Sequence, residues 1–219
     1  MFEPDLLTWL RGSGLQIASA VFVLGLTFRI IQNIAMGRAV DLAQPRGHTF
    51  GPGMAVIWRR SFFHSGMSYR GYFTLIAGYT FHIGFLVTLF FLSQHIVMFR
   101  SIVGFGWPAL PPAIIDIFAL VGVAALIAVL IHRVIDPVVR QLSDYQDYLV
   151  WLLTILPLVT GFLVMHPMGF AYKTAFALHL LSVQLLLIAI PFTKLSHMLS
   201  IFVSRWYNGA LAGFKGIKS

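Results

Sequence analysis

Five long stretches of the sequence carry almost no charge, and they constrain the fold more than any other feature. A helix needs about 20 apolar residues to cross the ~30 Å hydrocarbon core of a bilayer, whereas barrel strands alternate over about ten residues. Of the 219 residues, 58% are hydrophobic and only 10% are charged, against roughly 25% charged residues in a soluble domain. These values exclude a soluble enzyme, a disordered chain and a nucleic-acid binder. The sequence predicts an all-α integral membrane protein, a single membrane domain over 1–219, with helices at about 14–36, 71–99, 112–132, 148–166 and 174–203.

The net charge of +8 is distributed unevenly among the connections between these spans. One side carries Arg38, Arg46, Arg59, Arg60, Arg70, Arg133, Arg140, Arg205, Lys215 and Lys218, and the other carries Arg11, Arg100 and Lys173. Because basic loops stay in the cytoplasm, we expect an outside N-terminus, a cytoplasmic loop at 37–70 and a cytoplasmic C-terminus. The acidic opening with Glu3 and Asp5 differs from the basic start of a signal peptide, so we expect the first span to be retained. The setting would be the plasma membrane of a bacterium or archaeon.

Four of the eight histidines lie inside the apolar spans, His82 and His95 in the second and His179 and His197 in the fifth. Ionisable residues at membrane depth are costly and usually functional, and imidazole is a common haem-iron ligand. Because the two helices run in opposite directions, His82 matches His197 in depth and His95 matches His179. Each pair could supply the two axial ligands of one b-type haem, and two haems would form an electron path across the membrane. Separate hydrogen bonds between helices, or a proton path, are the alternative.

The spacing of these histidines fits two stacked sites only in part. The 18 residues between His179 and His197 make five helical turns, so both lie on one face. The 13 residues between His82 and His95 leave them roughly 140° apart around an ideal helix. A tilted helix, or a bend near Pro191, would reduce the mismatch.

Two motifs resemble the haem b subunit of respiratory nitrate reductase, the gamma-subunit family. Phe81-His82-Ile83-Gly84 is similar to that family's Phe-His-Ile-Gly motif, and Pro191-Phe192-Thr193-Lys194-Leu195-Ser196-His197 is similar to its Pro-Phe-Ser-Arg-Leu-x-His motif. The resemblance implies that His82 and His197 ligate the haem nearer the cytoplasm, and His95 and His179 the outer haem. The spacing in the second helix is longer than in nitrate reductase and is similar to that of haem b subunits from sulfur-metabolising and heterodisulfide-type complexes.

The resemblance implies a membrane di-haem b cytochrome, the electron-transfer subunit of an oxidoreductase complex. Such a subunit binds two haem b and exchanges electrons between the quinone pool, near the outer haem, and a cytoplasmic iron–sulfur partner. A catalytic subunit would hold the terminal site. The chain has no cysteine, so any Cys-ligated cluster must lie on a partner. The alternative is a cofactor-free membrane anchor or proton-path subunit that uses its intramembrane histidines.

The other histidines have weaker claims to a ligand role. His48 is expected to be solvated in a polar loop. His64 and His132 lie toward the predicted cytoplasmic face and could hold a third haem, although interfacial or partner contacts fit them better. His166, at the outer end of the fourth helix, is a candidate for contact with a quinone headgroup or with the membrane interface.

Four charged groups near the predicted membrane surfaces have two possible roles each. Lys194, three residues before His197, is expected either to pair with a haem propionate or to snorkel toward water, and Arg29 and Arg205 share this expectation. Asp116 could accept a proton from quinol or cap the third helix. Lys173 is a further candidate for a quinone contact.

Overall fold

The computed structural model describes residues 5–37, 41–64 and 66–217. Glu3, Arg38 and Lys218, which contribute to the charge pattern of the sequence, lie outside the described residues. The described residues form helices and connections without a strand, and five helices are long and apolar enough to cross a membrane. These helices are Leu6–Ala35, Tyr69–Phe91, Pro112–Ile135, Tyr145–Met165 and Tyr172–Phe192. The prediction of an all-helical chain with five such spans is confirmed, and the orientation of the termini stays a prediction.

The spans are interrupted in places where the sequence suggested continuous helices. In chain order the α-helices are α1 (Leu6–Trp9), α2 (Leu15–Ala35), α3 (Phe50–Arg59), α4 (Tyr69–Phe91), α5 (Ser93–Val103), α6 (Pro112–Ile135), α7 (Pro137–Gln141), α8 (Tyr145–Met165), α9 (Tyr172–Ala189) and α10 (His197–Phe214). A π-helical turn, Leu10–Gly14, joins α1 to α2, and two 3-10 turns, Ile190–Phe192 and Lys194–Ser196, join α9 to α10. The connection predicted as a loop at 37–70 therefore contains α3.

Contacts divide the described chain into two compact units. The first unit comprises the described residues up to Val21 together with Ile76–Ala189, and the second comprises Phe22–Leu75 together with the described residues from Ile190 onward. The predicted single membrane domain over 1–219 stays a prediction.

In the first unit, α8 lies between α6 and α9 and runs antiparallel to α6. At one end of these two helices Asp116 pairs with His166, and at the other end Arg133 pairs with Asp147. We call these the Asp116 end and the Asp147 end. Leu126, Ile155 and Leu158 form a buried core between the helices.

Gly84, in the motif around His82, allows α4 to approach α6 closely. A Cβ atom at Gly84 would lie 2.6 Å from the carbonyl oxygen of Phe118 and 3.1 Å from the Cα atom of Gly122. Real Cβ atoms do not approach a backbone oxygen so closely, so only glycine permits this contact.

A break at Leu92 ends α4 and redirects the chain into α5. Leu92 has an extended backbone (φ −71°, ψ 130°), and Ser93 begins the next helix. A helix leaves its last four carbonyl groups without partners in its own ladder. Here each carbonyl receives a donor from beyond the break. His95 Nδ1 donates to Thr88 and Leu89 at 3.1 Å, Trp107 Nε1 donates to Phe90 at 2.6 Å, and the amide of Leu110 donates to Phe91 at 3.1 Å.

A buried side-chain amide likewise donates a hydrogen bond to a backbone carbonyl in the π-helical turn of the first span. Gln184, only 5% exposed on α9, donates from Nε2 to the carbonyl oxygen of Leu10 at 2.8 Å. Gly14 permits this approach, since a Cβ atom there would lie 2.9 Å from Oε1 of Gln184.

In the second unit, a proline interrupts the region predicted as one helix over 174–203. Pro191 has no backbone N–H and cannot continue an α-helical ladder, and the chain passes through two 3-10 turns before α10 begins. Arg29 Nε donates to the carbonyl oxygen of Pro191 at 2.9 Å. The count of five continuous turns between His179 and His197 therefore does not apply to the folded chain.

Also in the second unit, α3 packs on α10 through small residues. A Cβ atom at Gly53 would lie 2.7 Å from the indole of Trp206, and Val56 is 2% exposed. The other face of α3 is exposed and apolar at Phe50 and Trp58.

Because Trp107 donates a hydrogen bond at the break, we expect its replacement to lower the stability of the fold. Trp107→Phe keeps an aromatic ring but leaves the Phe90 carbonyl without this hydrogen bond. We expect the free energy of unfolding to fall by about 1–3 kcal/mol, measured by thermal or denaturant unfolding of the protein in detergent.

Trp58→Phe is the matched control. The Trp58 side chain is 71% exposed, and such a surface substitution changes stability by about 0.5 kcal/mol or less. Equal stability losses in the two variants would contradict the role assigned to Trp107.

Candidate functional site

The rings of His95 and His179 lie together in the first unit. Their centroids are 6.2 Å apart and their planes are 15° from parallel. His95 lies on α5 and His179 on α9, so two different spans contribute one ring each. Both residues are half-buried. This is one of the two histidine pairs that the sequence predicts.

The break at Leu92 positions His95. The ring folds back against the end of α4, where Nδ1 lies 3.1 Å from the carbonyl oxygens of both Thr88 and Leu89. A carbonyl oxygen only accepts hydrogen bonds, so Nδ1 carries the proton and Nε2 keeps its lone pair. A histidine that binds a metal typically donates its other ring N–H to such an oxygen.

Buried hydroxyl groups on α8 and α9 position His179. Thr160 donates to the carbonyl oxygen of Leu156 at 2.7 Å, which leaves its oxygen to accept from His179 Nδ1 at 3.2 Å. Ser182 donates to the carbonyl oxygen of His179 at 2.8 Å and lies 3.0 Å from Oγ1 of Thr160. A proton on Nδ1 again leaves the Nε2 lone pair of His179 for another ligand.

Gly161 makes room for the imidazole. A Cβ atom at this position would lie 3.1 Å from Cε1 and 3.3 Å from Nδ1 of His179. Any larger residue would crowd the ring.

The separation of the two rings fits a pair of axial haem ligands. An imidazole nitrogen bonds a transition metal at about 2 Å, and the ring centroid lies about 1.1 Å behind that nitrogen, so two rings on opposite sides of one iron have centroids roughly 6 Å apart. The observed 6.2 Å agrees with that value. The ring separation is therefore compatible with two histidines that bind one haem iron.

His82 and His197 share the same local geometry but lie in different units. His82 is exposed on α4, and its Nδ1 lies 2.7 Å from the carbonyl oxygen of Gly78. His197 is exposed at the start of α10, and its Nδ1 lies 2.9 Å from the carbonyl oxygen of Lys194. In both, Nδ1 has a backbone acceptor, as in His95. The pairing of His82 with His197 stays a prediction.

The three basic residues that the sequence offers as partners of haem propionates have different local environments. Lys194 is exposed in the second 3-10 turn. Arg29 bonds the Pro191 carbonyl, and Arg205 Nη1 donates to Ser61 Oγ at 2.9 Å. The backbone and hydroxyl contacts of the two arginines were not predicted from the sequence.

Three further histidines, His48, His64 and His132, lie outside the two predicted pairs. His48 is exposed, His64 Nδ1 lies 3.4 Å from the carbonyl oxygen of Phe62, and His132 is half-buried near the end of α6. A third haem at His64 and His132 stays a prediction.

Asp116 and His166, which the sequence presented separately, form a pair. Nε2 of His166 lies 3.1 Å from Oδ1 of Asp116, and the side chains are 44% and 31% exposed. The ring of Phe162 lies beside His166, with centroids 4.5 Å apart. Lys173 is exposed at the start of α9.

Sequence reasoning missed the groups that hold the two rings. Thr160, Ser182 and Gly161 contact His179, and Trp107 stabilises the break that places His95. Hydroxyl residues inside an apolar span are the available signal, because each needs a hydrogen-bond partner there.

One curated protein is similar to this chain in sequence. A protein of Nitratidesulfovibrio vulgaris (strain Hildenborough), described only as "Protein", is 35% identical over 133 residues. The match covers 61% of this chain and 58% of the relative, so it spans less than two thirds of the relative's length. No family model matches the chain, and no solved structure matches it. The description of the relative names no activity, so the comparison assigns none to this chain.

Proposed function

We propose that the chain is a membrane di-haem b cytochrome, the electron-transfer subunit of an oxidoreductase complex. The observation that carries this proposal is the placement of His95 and His179 at 6.2 Å, each with Nδ1 directed to a hydrogen-bond acceptor. Two imidazoles with available Nε2 atoms on different membrane helices provide what a haem iron requires. The resemblance of the motifs around His82 and His197 to the nitrate reductase gamma family supports a second haem at that pair.

The residues of the chain would hold each haem and limit its movement. His95 and His179 would ligate the outer haem, and Thr160 would fix the orientation of the His179 ring. His82 and His197 would ligate the haem nearer the cytoplasm, with Lys194 beside its propionates. The haem supplies reversible one-electron transfer, and the protein sets its ligation, polarity and distance.

The complex would link the quinone pool to the cytoplasm. Quinone or quinol would react near the outer haem, and an iron–sulfur partner subunit would exchange electrons with the inner haem. A catalytic subunit would carry the terminal reaction. This assignment includes an outside N-terminus, a cytoplasmic C-terminus and the plasma membrane of a bacterium or archaeon, where lipid surrounds the five spans.

A second candidate function is a cofactor-free membrane anchor or proton-path subunit. The observation that favours it is the hydrogen bonding of His95, which stabilises the end of α4 without any cofactor. This candidate requires that the purified chain bind no haem, whereas the cytochrome proposal requires two.

Removing either ring of the pair should remove the same haem. His95→Ala and His179→Ala are each expected to lower haem content from two to one per chain and to lose the same component of the redox titration. Pyridine haemochrome quantitation and a potentiometric titration measure both effects. The reason is that a bis-histidine haem loses most of its affinity when one axial ligand is absent.

His48→Ala is the control, since His48 is exposed in a connection and should leave both haems in place. If His95→Ala and His179→Ala removed different haems, or if both kept two, the assigned pair would be wrong.

The Thr160 hydroxyl should strengthen haem binding because it holds the His179 ring in place. Thr160→Val keeps the shape of the side chain but removes the acceptor for His179 Nδ1. Loss of such a supporting hydrogen bond typically costs 10- to 100-fold in metal affinity. We therefore expect one of the two haems to transfer to apomyoglobin about ten times faster or more, monitored by absorbance.

Thr154→Val is the matched control on the same helix. Thr154 is 8% exposed, as Thr160 is, and its hydroxyl donates to the Val150 carbonyl at 2.6 Å. Equal transfer rates for the two variants would show that the Thr160 hydroxyl does not support the ligand.

A further inference from the structure

Asp116 and His166 form a titratable pair that the proposed haem ligation does not use. Asp116 lies near the start of α6 and His166 follows the end of α8, so the contact joins two different spans. Since a carboxylate only accepts hydrogen bonds, the Nε2–H group of His166 donates a hydrogen bond to Asp116 Oδ1 across the 3.1 Å contact. The Nδ1 atom of His166 then carries the lone pair that can accept a proton.

The pair lies close along α8 to the proposed outer haem site. Gly161 contacts the His179 ring, and His166 is five residues further along, or about 7.5 Å of helical rise toward the Asp116 end. Both side chains are partly exposed, at 44% and 31%. A molecule at the surface of the bundle can therefore reach the imidazole near the place where electrons would enter.

An apolar cleft lies at the connection that leads into α6, the helix that carries Asp116. Phe90, Phe91 and Trp107 line it together with residues 108–110, and its volume is about 680 Å³. Ligand sites commonly have volumes of about 300–1,000 Å³ and mostly apolar walls with a few polar groups. Aromatic walls suit the flat ring of a quinol.

We infer that His166 is the base that removes the protons of quinol, with Asp116 as the residue that positions it. This inference rests on the proposed cytochrome function and adds the residues that take up the protons. Asp116 holds the imidazole in the tautomer with Nδ1 unprotonated and stabilises the cation formed when Nδ1 gains a proton. A carboxylate has the same effect on the histidine base of serine proteases.

The step balances in protons and electrons. An O–H bond of the quinol breaks, its proton goes to Nδ1 of His166, and the proton then leaves to solvent before the second O–H bond breaks. The two electrons would leave the quinol one at a time, and the proposed haems would accept them as ferric iron becomes ferrous. One quinol and two ferric equivalents thus give one quinone, two ferrous equivalents and two protons.

The experiment measures the reduction of the haems by menadiol in the purified, haem-loaded protein. Stopped-flow absorbance gives the rate, and dithionite gives the total reducible haem. We expect His166→Gln to lower the maximum rate of haem reduction by menadiol by about 100-fold or more, with the menadiol concentration for half-maximal rate and the haem content little changed. Asp116→Asn should also lower this maximum rate, and Asp116→Glu should restore part of it because it restores the carboxylate.

Asp147→Asn is the matched control, because Asp147 pairs with Arg133 at 3.4 Å between the same two helices at the opposite end. It should leave the menadiol rate unchanged. Wild-type rates in His166→Gln and Asp116→Asn, or an equal loss in Asp147→Asn, would overturn the inference while the cytochrome proposal stands. A wild-type protein without haem would overturn the proposed function and the inference with it, whereas bound haem that menadiol cannot reduce would overturn the inference alone.

Discussion

A backbone carbonyl that leaves its helical ladder inside a membrane must find a donor within the protein, because lipid offers none. The most consequential case is the end of the apolar span Tyr69–Phe91, where the last four carbonyls of α4 receive donors from His95, Trp107 and Leu110. This requirement fixes the His95 ring and its tautomer before any ligand is considered. The same rule explains why Gln184 bonds the Leu10 carbonyl and why Arg29 bonds the Pro191 carbonyl.

The break at Leu92 also explains why the spacing of His82 and His95 did not fit two stacked sites. In one continuous helix, His82 and His95 would point roughly 140° apart, which two stacked sites do not fit. Because α4 ends at Phe91 and α5 begins at Ser93, the direction of His95 does not follow from that count. The ring instead lies 6.2 Å from His179. The structural role of His95 and the proposed role as an iron ligand use different nitrogen atoms, so they are compatible.

The five spans could be predicted from the sequence because the criterion is compositional: long runs without charge need no knowledge of their neighbours. Pro191 signalled a bend, since it removes a backbone donor, but nothing at Leu92 or Ser93 marks a break in the same way. The pairing of His95 with His179 was predicted from depth, whereas the contacts of Thr160 and Ser182 depend on the rotation of α8 and α9. Asp116 and His166 were each singled out, yet their contact required knowing which ends of α6 and α8 meet.

Haem stoichiometry tests the central claim most directly. A reduced-minus-oxidised optical spectrum of the purified full chain, expressed with an adequate supply of haem, would identify the haem type, and pyridine haemochrome quantitation would count it. The account predicts two b-type haems per polypeptide. A folded chain that contains no haem under these conditions would contradict it and would favour the cofactor-free anchor or proton-path function.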